Sequence, residues 1–168
     1  MVWKPPPDWP IIEPGLLMAG IGDVMFINTD ATLSDAGFER QLVELGRAID
    51  LRDESSLVGV IYDAPTSSLS IDAKRRKRSA EVLDRRREKL GKTTAAFALA
   101  SPSTMTRGVL RAVFWLAPPP YPWAIVDTAR EGLAYLKTKM PSLDVERVLS
   151  EYEGLKRKHV RPSAAASV

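Results

Sequence analysis

The chain has 168 residues, 45% of them hydrophobic, which suits one folded domain with short tails and is too apolar for overall disorder. It has no cysteine and a single histidine, His159, which excludes disulfides, a thiolate nucleophile and cysteine metal sites and argues against a histidine metal cluster or a Ser-His-Asp triad. The net charge of +3 is unevenly spread: residues 72–92 hold ten Lys/Arg against four Asp/Glu, so the rest of the chain is net acidic.

Freedom from cysteine fits a reducing cytoplasm, and a cytoplasmic location is the expectation. The N-terminus lacks the apolar core of a signal peptide, and no uninterrupted apolar run reaches the length of about 18 residues that a spanning helix needs. Residues 1–14 contain five of the thirteen prolines, with Trp3 and Trp9 among them. Such a segment cannot be helical and reads as an extended arm, packed on its own domain through the tryptophans rather than offered as a proline-rich ligand.

From Leu16 to Asn28 two apolar runs flank Gly20-Ile21-Gly22-Asp23, which predicts a hairpin. Thr32 or Ser34 then caps a helix whose apolar residues Phe38, Leu42, Leu45 and Ile49 share one face. A polar loop over 50–56 follows. The run from Leu57 to Asp63 is apolar without alternation, the pattern of a strand covered on both faces. After a turn rich in hydroxyls comes a basic helix over 72–89 with a narrow apolar stripe, Ala73, Ala80, Leu83 and Leu90, and with Gly91 as its C-terminal cap. Thr94 to Ala100 is a further strand. The helix after it, about 104–116, is apolar on nearly every side, so it is buried on several sides or faces a partner or an apolar ligand. Prolines 118–120 and 122 end it before a short strand at Trp123 to Val126. Thr128 caps a helix carrying Leu133 and Leu136. A last helix, about 143–158, has Val145, Val148, Tyr152 and Leu155 at coiled-coil-like spacing, fit either for its own domain or for a second copy in a homodimer. The expected fold is α/β: a mixed, mostly parallel sheet with an N-terminal hairpin, helices packed on it and an extra C-terminal helix. The expected divisions are an arm over 1–14, the α/β domain over 15–140, the C-terminal helix over 141–160 and a flexible tail over 161–168.

This order, with Thr32-Leu33-Ser34 leading to Phe38, the strand ending in Tyr62-Asp63, the basic helix, and the segment Arg107 to Leu116 followed by prolines and a last strand, resembles the STAS superfamily, the anti-sigma-factor-antagonist-like fold. Within it the chain looks most like divergent bacterial STAS-like proteins related to the Sec14-type lipid-binding fold, over about residues 16–136. The resemblance implies a non-enzymatic protein that binds protein partners, with nucleotides or lipids bound by some members. Members acting as phosphorylation switches carry Asp-Ser-Gly where this chain has Thr66-Ser67-Ser68-Leu69-Ser70. The hydroxyls are present and the motif is not. A phosphate at Ser68 or Ser70 would sit near a helix N-terminus and within reach of Lys74 or Arg75, whereas the plainer role of Thr66, Ser67, Ser68 and Ser70 is to cap the helix and solvate the turn.

Other constellations are weaker. Gly91-Lys92-Thr93-Thr94 imitates the end of a phosphate-binding loop, but Arg86 stands where its first glycine is required. Asp30 and Asp63 both follow strands and offer a paired-carboxylate arrangement with no further base or metal ligand at suitable spacing. The function expected is therefore a regulatory or scaffolding binding domain, neither an enzyme nor in need of a cofactor. Its contacts would be with a protein partner of acidic character, through Lys74, Arg75, Arg78, Arg85, Arg86, Trp115 and Trp123. Two alternatives stand beside it. One is a carrier of a lipid or small apolar ligand with its cavity near Phe114 and Trp123. The other is nucleic-acid or anionic-surface binding through the basic helix 72–90, where nucleic acid is disfavoured because no aromatic residue interleaves with the charge.

Overall fold

A computed structural model of the chain describes residues 3–64 and 73–160. Its sheet has six strands in sequential order: β1 (Ile11–Glu13), β2 (Leu16–Ile21), β3 (Val24–Thr29), β4 (Val58–Asp63), β5 (Thr94–Ala100) and β6 (Trp123–Val126). β1, β2 and β3 pair antiparallel; β3 to β6 pair parallel. The fold is thus the α/β arrangement expected, with its N-terminal hairpin and C-terminal helix. Gly22, at φ +57°, forms the hairpin turn with Asp23, so the turn is tighter than the four residues expected and Gly20 belongs to β2.

Three parallel crossovers advance the sheet in one direction. With the usual right-handed sense they place their helices on one face. These are α1 (Asp35–Asp50), then α2 (Ala73–Asp84) with α3 (Arg87–Thr93), then α4 (Thr104–Leu116). The chain then crosses the other face with α5 (Ala129–Lys137) and α6 (Val145–Val160). Side chains alternate between the two layers as strand geometry requires. Phe26, Ile61, Ala96 and Ala98 meet Leu133, Leu136, Val148, Leu149 and Tyr152 in one cluster; Met25, Ile27, Val58 and Val60 join Ala48 in another.

The two layers differ in tightness, and residue size explains why. Toward α5 the sheet presents Gly59, Ala96 and Ala98, and α5 answers with Gly132. A methyl added at Gly59 would come within 2.8 Å of Leu136, and one at Gly132 within 2.9 Å of Ile61. The helix backbone therefore lies directly on the strands. α6 is pinned behind it: Tyr152 stacks on Phe26 at 4.1 Å, and its hydroxyl donates to the buried Asp63 carboxylate at 2.7 Å. Lys156 Nζ adds an ion pair at 2.9 Å to the same oxygen. The coiled-coil-like stripe is thus used within its own domain. On the opposite face the strands carry Met25, Ile27, Tyr62, Phe97 and Leu99, and there the helices stand off.

Several expectations are corrected. Residues 11–13 of the arm form an edge strand, although the arm packs on its own domain through Trp3, buried in the core, and Trp9, edge-on to it at 6.3 Å, as expected. The basic helix is two helices, broken at Arg85-Arg86. Gly91 is no cap, because α3 runs on through it to Thr93. Among the described residues no helix is long and apolar enough to cross a membrane.

Candidate functional site

The looser face encloses a cavity of about 370 Å³. Its floor is the sheet, with Met25, Ile27, Val60, Tyr62, Phe97 and Leu99. α1 contributes Phe38, Gln41, Leu42 and Leu45; α2 contributes Ala80 and Leu83; α4 contributes Leu110 and Phe114. The proline loop closes it with Pro119, Pro120 and Tyr121. Ala80, Leu83 and Leu90 of the basic helix's apolar stripe are therefore cavity wall. This explains why α2 buries no residue fully: its apolar side faces open space.

Ser79, Asp84, Arg87 and Thr94 also line it, and two polar side chains of the lining, Arg52 and Gln41, are buried with unpartnered atoms. Arg52, 3% exposed, donates from Nη1 to Thr94 Oγ1 at 2.9 Å, and Nη2 meets only the weak acceptor Met25 Sδ at 3.8 Å. Its Nε is buried without a partner, and no carboxylate pairs with it among the described residues. Gln41, 4% exposed, has a buried Oε1 with no partner. Burial pulls the Arg52 guanidinium down to about 10, an effect that nearby Tyr121 partly offsets. Burial in turn pushes the Tyr121 phenol up.

Sequence reasoning missed both groups. Gln41 was discoverable, since it lies between Phe38 and Leu45 on the apolar face of α1 and is polar where the pattern is not. Arg52 carried no such signal, lying in a loop of ordinary polar composition.

The residues singled out from the sequence fall into three sets. Phe114 lines the cavity. Trp123 lies behind it, half-buried, with its ring edge-on to Phe114 at 5.1 Å. Trp115 points away and is 80% exposed. The arginines are largely turned inward to the protein's own acids. Arg75 pairs with Asp35 at 2.7 Å and lies over the Phe38 ring; Arg78 pairs with Glu39 at 3.0 Å; Arg86 pairs with Asp50 at 2.8 Å. These bonds hold the Asp35, Glu39 and Asp50 carboxyls below the usual carboxylate range. α1 and α2 run in the same direction, so acids and arginines meet in register along the rim of the cavity. Lys74 and Arg85 make no ion pair among the described residues. The hydroxyls Thr66, Ser67, Ser68 and Ser70 lie outside the described residues.

Asp30 and Asp63 are each committed elsewhere. Asp30 accepts from the Thr32 backbone at 2.7 Å, which shapes the turn before α1, and Asp63 anchors α6. Among the described residues no three or more histidines, aspartates or glutamates group as a metal site.

Of the two alternatives for α4, burial on several sides does not hold, because no residue of it is fully buried. Phe114 and Leu110 face the cavity, and Arg107 and Arg111 tie it to Asp127 and to the Ile125 carbonyl. The outer side bears Met105, Val109, Val113, Trp115 and Leu116, all exposed. Comparisons with protein-family models, with curated proteins and with solved structures return no match.

Proposed function

We propose that this chain is a non-enzymatic, cytoplasmic binding domain whose ligand is a small, mainly apolar molecule held between the sheet and helices α1, α2 and α4. The observation that carries this reading is the 370 Å³ cavity, lined by aliphatic and aromatic side chains from the sheet and the helices on one face, with its exposed lining mainly apolar. Its size is that of pockets which enclose small ligands, and the tight packing of the opposite layer makes the looseness local rather than general. The resemblance to STAS-like and Sec14-related proteins agrees with a binding role, and the absence of cysteine supports the location.

The test is displacement of a fluorescent apolar dye from the purified chain by aliphatic probes, repeated with Leu110→Trp, which fills the cavity from α4. Competitive displacement that this variant abolishes, while its fold is retained, is the expected result. Dye binding unchanged by the variant would place the site elsewhere.

A second reading, contact with a protein partner, is favoured by the outer side of α4, where Met105 and Trp115 are each 80% exposed and Leu116 is 75% exposed. An uncovered apolar stripe of this kind is characteristic of a docking surface. If the partner is a second copy, light scattering shows concentration-dependent dimers that Leu116→Glu abolishes; monomers throughout would exclude that partner.

A further inference from the structure

Arg52 is a buried cation lining an apolar cavity, and among the described residues it has no ion-pair partner. Such a group is costly unless an anion completes it, because the desolvated guanidinium has lost water and gained only one good acceptor, Thr94 Oγ1. The donors left over are specific. Nε–H has no acceptor and Nη2 has only a thioether sulfur at 3.8 Å. Together they form the edge of a guanidinium that takes both oxygens of a carboxylate. Gln41, also buried and lining the cavity, has an amide with an unpartnered end, and rotation about its last bond offers either an N–H or an oxygen to a polar head. The remaining walls, Phe97, Leu99, Leu110 and Phe114 among them, suit a hydrocarbon chain.

We infer that the ligand is an amphipathic monocarboxylate of the fatty-acid class, with its carboxylate on Arg52 beside Gln41 and its chain along the Phe97–Phe114 wall. The inference rests on the cavity reading above and adds the head group. Arg75, Arg78 and Arg86 are already engaged by Asp35, Glu39 and Asp50, while Arg87, which also lines the cavity, is exposed and bonds the Pro118 carbonyl at 3.3 Å, so it lacks the desolvation that makes a buried cation favour an anion.

Calorimetric titration of the full chain with decanoate, decanol and decyltrimethylammonium at about pH 8, where the acid is ionised, separates the two claims. Decanoate binds at least about tenfold tighter than decanol, as charged hydrogen bonds in a buried site require, and the ammonium is weakest. Arg52→Met erases the preference without weakening decanol. Equal affinity for decanoate and decanol overturns the head-group inference and leaves the cavity reading standing. Binding of none of the three overturns the cavity reading itself. A preference that survives in Arg52→Met assigns the carboxylate to another cation and also overturns the inference. Should that variant fail to fold, the head-group series on the wild-type chain and a loss of preference in Gln41→Leu decide the matter.

Discussion

Replacing Arg52 with methionine should stabilise the ligand-free protein while disabling its binding of anions. Burial lowers the guanidinium to about 10, so below that pH the folded state bears the cost of keeping it charged. At about 1.36 kcal/mol per pH unit, this is roughly 3 kcal/mol at neutral pH. Opposing it is the Arg52–Thr94 hydrogen bond at 2.9 Å, which contributes about 2 kcal/mol when one partner is charged. Methionine keeps much of the side-chain volume and adapts to irregular space. The net expectation is a gain of about 1 kcal/mol in urea unfolding, or roughly 2–4 °C in Tm for a chain of this size. The sign with pH follows from the depressed folded value. Between pH 10 and the higher value of the unfolded chain, the unfolded state holds more protons, so the cost lifts as pH rises and the advantage of the variant shrinks. Urea melts of both proteins at neutral pH, with and without decanoate, make the assay. A variant destabilised by more than about 1 kcal/mol would show that Arg52 is a net structural contact, and the argument from an uncompensated charge would fall.

Other expectations test the surrounding frame. Tyr152→Phe should cost about 1–3 kcal/mol by leaving part of the buried Asp63 carboxylate unbonded. Burial, then the charge of Asp63, raises the Tyr152 phenol, so wild-type stability is intact below about pH 10 and falls above it; the variant, read in alkaline urea melts, lacks that part of the loss. Gly59→Ala forces a methyl to within 2.8 Å of Leu136 and should cost about 1–3 kcal/mol, whereas Gly108→Ala, in open space on α4, should gain about 0.5–1 kcal/mol; thermal melts compare them. Arg75→Glu with Arg78→Glu sets like charges against Asp35 and Glu39 and should lower the urea midpoint, while Arg85→Glu, at a residue without an ion pair among the described residues, leaves it nearly unchanged.

The succession of elements from the hairpin onward and the caps, Ser34 of the two candidates offered and Thr128, were legible because each rests on local chemistry: apolar runs, glycine turns and hydroxyls ahead of helices. β1 was hidden because proline on both sides of residues 11–13 argues against a strand, yet an edge strand tolerates such flanks. The break at Arg85-Arg86 has no stop signal, since arginine is a good helix former; it coincides with the ion pair from Arg86 to Asp50 and the close approach of Arg86 to Gly46. The α4 pattern was ambiguous for another reason. Uniform apolarity tells how much surface a helix can bury, not how much its neighbours cover, and α4 lies against the sheet's short last strand, β6. The cavity could be suspected from Phe114 and the aromatic residues around it. Its polar end could not, because Gln41 and Arg52 meet only through the tertiary fold.

The most direct measurement is a crystal structure of the full chain grown with a fatty acid brominated at its chain end. The account predicts an anomalous bromine peak in the cavity beside the Phe97–Phe114 pair and carboxylate density on Arg52. A bromine peak on the outer side of α4 near Trp115, or none at saturating ligand, would contradict it.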